Sequence, residues 1–126
     1  MKGGGRKKMI NLNWVKYTDG RWCNLSSLNL GDPHFENLNG VYVIWHMGNT
    51  YSNVIRVGQG LVKGRLDEHR NNPEILEYNH LGILVTWALV HPSYMDGVER
   101  FLSETLKPAI GSRFPDVSPI IVNLPS

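Results

Sequence analysis

The clearest hydrophobic pattern in the chain is a pair of short apolar segments near its middle. Val41–Trp45 consists of β-branched and aromatic residues throughout, which predicts a strand that is buried on both faces. Val54–Val57 follows after a polar, glycine-containing loop and ends at Gly58–Gly60. We therefore expect the two segments to pair as antiparallel strands joined by that loop.

The pattern becomes helical after this strand pair. Val62 and Leu66 are four residues apart, which places them on one face of a helix over Leu61–Arg70. Pro73 cannot continue that helix, but it suits the first position of a second, short helix that extends through Tyr78.

A third strand and a last helix complete the central pattern. Ile83–Val90 is dense in Val, Leu, Thr and Trp and predicts a strand, which His91–Ser93 is expected to end. Val98–Leu106 has apolar residues at helical spacing and is stopped by Pro108. This order of elements predicts an α+β fold with a small antiparallel three-stranded sheet flanked by helices.

The N-terminal part predicts an additional β-hairpin. Ile10–Tyr17 alternates apolar and polar residues, Thr18–Gly20 supplies turn residues, and Arg21–Leu25 is a second short run. The chain has 126 residues, which suits one domain. We expect a disordered basic arm over residues 1–9 and a single domain over 10–126.

The composition excludes several classes of protein. Apolar residues make up 41% and charged residues 19% of the chain, which is typical of a globular protein and not of a disordered one. No apolar stretch approaches the roughly 20 residues of a membrane helix, and the basic N-terminus is followed by polar residues, unlike a signal peptide. The single cysteine, Cys23, excludes an internal disulfide. We expect a cytoplasmic protein.

The positive charge is concentrated at the N-terminus. The chain has thirteen basic and eleven acidic residues, and four of the basic ones are Lys2, Arg6, Lys7 and Lys8. The rest of the chain is therefore slightly acidic. Such an arm can hold the backbone of a nucleic acid electrostatically, and a solubilising chain end is the equally good alternative.

A series of short motifs resembles the GIY-YIG nuclease family. Gly40–Tyr42 matches the first motif of that family, and Val57–Gly58 matches the end of the second. Arg65 matches the arginine of the first helix, Glu99 the metal-binding glutamate of a later helix, and Asn123 the asparagine near the end. The resemblance covers about residues 39–123.

The resemblance implies a metal-dependent endonuclease that hydrolyses phosphodiester bonds in DNA, with RNA as a second option. It further implies one Mg²⁺ or Mn²⁺ ion bound by Glu99, and supporting roles for Gly40 and Gly58. The sequence departs from the family at Arg56, where the second motif has tyrosine, and at Gln59, where Lys or Thr is common. An inactive member of this fold that binds nucleic acid or protein, or an unrelated α+β protein, are the alternatives.

Each of the strongest candidates also has an ordinary structural interpretation. Glu99 can bind a cation, or it can be a first-turn glutamate that the helix dipole favours. Arg65 can bind a phosphate with its planar fork, or form an ion pair with Glu68. Tyr42 can hold or deprotonate the attacking water, or be a core tyrosine.

Either Tyr42 or His69 can be the general base that deprotonates the attacking water. Arg56 stays protonated and cannot act as a base, but it can bind phosphate or lower the pKa of Tyr42. His69 lies one turn after Arg65 and is an alternative base, although a lone helical histidine is more often a partly exposed side chain. Asn123 can orient a backbone or ligand group, or cap a turn.

Overall fold

The core of the fold is an antiparallel sheet of four strands. A computed structural model describes residues 9–48, 53–111 and 114–126. In this part of the chain the strand order is β1-β4-β2-β3, and every pairing is antiparallel. The strands are β1 (Cys23–Asn24), β2 (Asn39–His46), β3 (Val54–Leu61) and β4 (Ile83–Leu89). The α+β class is confirmed, and the sheet has one strand more than the three predicted.

The additional strand is the second arm of the predicted N-terminal hairpin. The turn is present, because the Tyr17 amide donates to the Arg21 carbonyl at 2.9 Å. However, Cys23 pairs with β4, and the Val15 amide donates to the Trp87 carbonyl of the same strand at 3.0 Å. Both arms therefore lie along one edge of β4 instead of pairing with each other. That edge offers unpaired backbone groups that the arms satisfy, so the predicted hairpin is wrong beyond its turn.

Helices lie on both sides of the sheet. The helices are α1 (Val62–Arg70), α2 (Pro73–Leu76) and α3 (Pro92–Leu106). α2 begins as expected for its sequence, with Pro73 in the first turn and the Asn72 side chain accepting from the Glu74 amide. Within the described residues, none of the helices has both the length and the apolar character needed to cross a membrane.

Helix α3 begins earlier than predicted. The sequence His91-Pro92-Ser93 was expected only to end a strand, but it also starts this helix. The His91 ring accepts a hydrogen bond from the Ser93 amide at 3.1 Å, and Pro92 occupies the first turn, where its missing amide hydrogen costs nothing. The early start places Glu99 in the middle of the helix, so the first-turn interpretation of Glu99 is wrong.

The alternation of side chains along β2 builds two cores. Tyr42 and Ile44 point to the side where Leu66 of α1 packs, and both are almost completely buried. Val43 points to the other side, where it shares a core with Leu102 of α3. The sheet is therefore covered on both faces, and β3 is the strand at its edge.

The outer edge of β3 is partly covered by the segment that follows α3. The register between β2 and β3 shifts where Ile44 pairs with Arg56 and Trp45 pairs with Val54. Ile55 is the extra residue of this β-bulge, and its carbonyl accepts from the Ile110 amide at 2.8 Å. The remainder of the β3 edge, from Arg56 toward Leu61, borders the cleft described next.

Candidate functional site

A polar cleft lies where the β3 edge meets helices α1 and α3. Its volume is about 350 Å³. It contains residues from β2, β3, α1 and α3, so each covering layer of the sheet contributes to it. The structure thus brings together five of the candidate site residues from the sequence, namely the Tyr, both Arg, the Glu and Gly58. The lining residues are Tyr42, Arg56, Gly58, Gln59, Gly60, Arg65, Asp96 and Glu99.

The position of Tyr42 depends on the glycine opposite it. Tyr42 and Gly58 are direct partners in the β2–β3 ladder. A Cβ atom on Gly58 would lie 2.1 Å from the Tyr42 hydroxyl oxygen, which is inside any allowed contact distance. The absence of a side chain at Gly58 therefore lets the ring cross β3 and bring its hydroxyl to the cleft. Gly40 has a similar steric role, since a Cβ there would lie 2.0 Å from the Ala88 carbonyl oxygen.

The Tyr42 hydroxyl is hydrogen-bonded to His69. Its oxygen lies 2.6 Å from His69 Nε2, and the imidazole is only 6% exposed. Burial lowers the pKa of His69 from 6.5 to about 4, and the charges of Arg56 and Arg65 act in the same direction. The ring is therefore neutral at pH 7, and its Nε2 can accept the phenolic proton. The expectation of a partly exposed histidine is wrong.

Tyr42 itself carries its proton in this structure. Burial raises the pKa of the phenol, the charge of Arg56 and a hydrogen bond from its side chain oppose that rise, as does the charge of Arg65, and the Glu99 carboxylate adds to it. The hydroxyl is thus a proton donor at neutral pH, with a neutral acceptor directly beside it. Such a pair can pass a proton from Tyr42 to His69 when a base is needed in the cleft.

The two arginines of the cleft are not neutralised by carboxylates. Among the described residues, ion pairs join Arg21 to Asp19 and Arg100 to Glu104, and neither Arg56 nor Arg65 takes part in one. The predicted Arg65–Glu68 ion pair is therefore wrong. The Nε atom of Arg56 is buried, and no other described residue forms a hydrogen bond with it. Two guanidinium groups are left available for an anion.

Two carboxylates lie in the same cleft and share one donor. Gln59 Nε2 donates to Asp96 Oδ1 at 2.7 Å and to Glu99 Oε1 at 2.9 Å. Burial raises the pKa of Glu99; the hydrogen bond from Gln59 opposes this rise, and the negative charge of Asp96 adds to it. Asp96 is one helical turn before Glu99 in the sequence, a spacing that could have indicated it, whereas no sequence signal linked Gln59 to either residue.

The carboxylate pair fits one way of binding a divalent cation. Within the described residues, no group of three or more His, Cys, Asp or Glu side chains could hold a metal ion by itself. Mg²⁺, however, is often held by one or two carboxylates together with water and substrate phosphates. Asp96 and Glu99 supply such hard oxygen ligands, and the negative charge of Asp96 already acts on Glu99. The residues present therefore fit Mg²⁺ or Mn²⁺ bound in that way.

Asn123 does not line the cleft. Its side-chain oxygen accepts from the Leu12 amide at 2.6 Å, and its side-chain nitrogen donates to the Leu12 carbonyl at 3.0 Å. The Asn123 carbonyl in turn accepts from Trp14 Nε1 at 2.9 Å. Asn123 thus connects the N-terminal and C-terminal segments, and a role as a cap within one turn is wrong.

The remaining candidates of the sequence are the basic residues of the N-terminal arm. Lys2, Arg6, Lys7 and Lys8 lie outside the described residues.

Comparison of the chain with protein-family models, with curated proteins and with solved structures found no match. The functional interpretation therefore depends on the geometry of the cleft itself.

Proposed function

We propose that the cleft hydrolyses phosphodiester bonds in nucleic acid, with DNA as the substrate and one divalent cation as the cofactor. The observation that carries this proposal is the phenol of Tyr42, hydrogen-bonded to the neutral imidazole of His69 at 2.6 Å, in the same cleft as unpaired arginines and a carboxylate pair. Phosphodiester hydrolysis needs a base for the attacking water and positive charge around the phosphate. The proposal also places the protein in the cytoplasm.

Tyr42 and His69 would together supply the base. Tyr42 takes a proton from the attacking water, and the phenolic proton moves to His69 Nε2 in the same step. The hydroxide formed would attack the phosphorus, and the bond to the leaving oxygen would break. The leaving oxygen would take a proton from solvent water, and His69 would return its proton to solvent through Tyr42. Burial is the main cause of the low pKa of His69, and the charges of Arg56 and Arg65 add to it. A bound phosphate would offset that added positive charge and would favour the transfer to this extent.

The arginines would stabilise the negative charge that develops on the phosphate. Arg65 is exposed at the mouth of the cleft, where its planar fork can donate two parallel hydrogen bonds to phosphate oxygens. Arg56 remains protonated and contributes charge without acting as a base. Neither guanidinium group forms an ion pair within the described residues, so no carboxylate has to be displaced before the phosphate binds.

Glu99 would hold the divalent cation, with Asp96 as the second carboxylate and Gln59 orienting both. When bound, Mg²⁺ or Mn²⁺ supplies polarisation of a phosphate oxygen and stabilisation of the leaving oxygen. The positions of the candidate residues support the resemblance to the GIY-YIG family. Tyr42 lies on β2, Arg65 on α1 and Glu99 on α3, and the family is expected to carry its tyrosine on a strand, its arginine on the first helix and its glutamate on a later helix.

A binding module without turnover is the second candidate, and Arg56 is the residue that favours it. The resemblance expects a tyrosine at this position, so one member of the expected constellation is replaced by a cation. A cleft with two free arginines would still bind the phosphates of a nucleic acid. The two candidates differ in whether metal-dependent cleavage occurs.

The test is the substitution Glu99→Gln, which keeps the size of the side chain and removes its charge. We expect it to abolish cleavage of duplex, branched and single-stranded DNA in Mg²⁺ or Mn²⁺, while the thermal unfolding temperature stays close to that of the parent. Glu104→Gln on the same helix is the matched control, because Glu104 is exposed and paired with Arg100, and it should cleave normally. Cleavage by Glu99→Gln at the parental rate would contradict the metal role.

A further inference from the structure

The guanidinium group of Arg56 is held in an unusual environment for a surface arginine. Arg56 lies within β3 between Ile55 and Val57, which are buried, and it is itself only half exposed. Its Nε atom is buried and has no hydrogen-bond partner among the described residues. A desolvated polar group without a partner is costly, and most such groups in proteins are satisfied. Because this Nε atom is buried, a ligand in the cleft can meet only the other N–H groups of the guanidinium. The Arg56 side chain also hydrogen-bonds the Tyr42 hydroxyl, which lowers the pKa of Tyr42.

The carboxylates of the cleft do not supply that partner. Asp96 and Glu99 accept hydrogen bonds from Gln59, and neither forms an ion pair with Arg56 in the described chain. Arg56 therefore has no carboxylate partner among the described residues.

Arg56 and Arg65 surround the same space. Both side chains line the polar cleft, together with Tyr42 and Glu99. The two arginines come from different elements, β3 and α1, and therefore approach this space from different directions.

Glycines lie beside both guanidinium groups. Gly60 has φ +124°, and a Cβ atom there would lie 3.2 Å from Arg65 Nε. Gly111 has φ +102°, and its Cβ would lie 3.8 Å from Arg56 Nη1. Positive φ favours glycine at both positions, so neither arginine is covered by a side chain at these points.

We propose that Arg56 is a second phosphate-binding residue, which clamps a phosphate group of the nucleic acid together with Arg65. This inference rests on the proposed function, in that the cleft receives nucleic-acid phosphates. Two guanidinium forks can satisfy several oxygens of one phosphate, which suits an anion of high charge density. The phosphate is either an internal phosphodiester or a terminal monoester, and binding assays can distinguish these sources.

The test measures binding to a short DNA duplex in EDTA, by fluorescence anisotropy over a range of salt concentrations. We expect Arg56→Gln to bind about tenfold more weakly at low salt, since a charge-assisted contact is lost. The log–log salt dependence should become shallower by about 0.9, as for one lost phosphate contact on duplex DNA. Arg56→Lys should keep the slope, because it keeps the charge. Arg21→Gln is the matched control, exposed and paired with Asp19, and should change neither quantity.

Two forms of the duplex identify the phosphate. If the loss in Arg56→Gln is the same with and without a 5′-phosphate, the clamp holds an internal phosphodiester. If the loss occurs only with the 5′-phosphate, it holds a terminal monoester. Should Arg56→Gln fail to fold, Arg56→Tyr removes the same charge and provides the same comparison.

An affinity and a salt slope equal to those of the parent in Arg56→Gln would overturn the proposal, as would a parent that binds no DNA. The proposed function fails separately. If the parent shows no metal-dependent cleavage but Arg56→Gln has the shallower slope, the phosphate clamp stands in a binding module. If the parent cleaves and the slope is unchanged, the nuclease proposal stands and the clamp does not.

Discussion

The buried state of His69 makes the stability of the protein depend on pH in a defined direction. Burial lowers the pKa of this histidine from 6.5 to about 4. Between these two values the unfolded chain binds the proton more readily than the folded protein, so the free energy of unfolding falls as the pH falls. Above 6.5 the histidine is neutral in both states, and below about 4 it is charged in both.

The size of the effect follows from the difference between the two pKa values. One unit of pKa difference corresponds to about 1.4 kcal/mol, so the full loss from His69 is about 3 kcal/mol. Acidification from about pH 7 to about pH 4.5 covers most of the interval between the two pKa values. Through His69 alone it should lower the free energy of unfolding by about 2 kcal/mol. That is a large part of the stability of a typical small domain.

The variant His69→Gln isolates this contribution. Its amide can still form a hydrogen bond with the Tyr42 hydroxyl, but it does not titrate. The free energy of unfolding is measured by urea titration at both pH values. We predict that its decrease on acidification is about 2 kcal/mol smaller in His69→Gln than in the parent. His80→Gln removes an exposed histidine and should behave like the parent. Equal losses in His69→Gln and the parent would refute the reasoning that burial keeps His69 neutral.

Three further predictions concern the support of the cleft and the chain ends. Gly58→Ala puts a Cβ 2.1 Å from the Tyr42 hydroxyl, so it should lower both the thermal unfolding temperature and the cleavage rate; a normal rate would contradict the packing of Tyr42 over β3. Asn123→Ala removes two hydrogen bonds to Leu12 and should lower the urea-derived stability by about 1–3 kcal/mol, with DNA affinity unchanged. Deletion of residues 1–8 should reduce the salt slope of DNA binding by up to about 3.6, four phosphate contacts' worth, and an unchanged slope would show that the arm does not contribute.

Local patterns predicted the central part of the fold well. The apolar run Val41–Trp45 became the interior of β2, and the spacing of Val62 and Leu66 gave helix α1 its buried face. These elements form where the sequence predicts them because the pattern and the environment agree over several residues. The start of α3 was missed because His91-Pro92 is compatible both with the end of a strand and with the start of a helix.

The features that the sequence did not predict depend on distant parts of the chain. The two segments on either side of the Thr18–Gly20 turn form hydrogen bonds with the edge of β4 instead of with each other. Only the position of β4 in the sheet decides this pairing. The hydrogen bonds from Gln59 to the α3 carboxylates join residues about 40 positions apart. The burial of His69 follows from the packing of α1 against the sheet, whereas its sequence spacing placed it with the exposed Arg65.

Single-turnover cleavage of DNA by Tyr42→Phe tests the central claim most directly. The substitution removes only the hydroxyl that lies 2.6 Å from His69 Nε2. We expect the parent to cleave in Mg²⁺ and to stop in EDTA. Tyr42→Phe should bind DNA with parental affinity but cleave about 10²–10⁴-fold more slowly, the contribution of a positioned base. Cleavage by Tyr42→Phe at the parental rate would contradict the role of Tyr42 in deprotonating the attacking water.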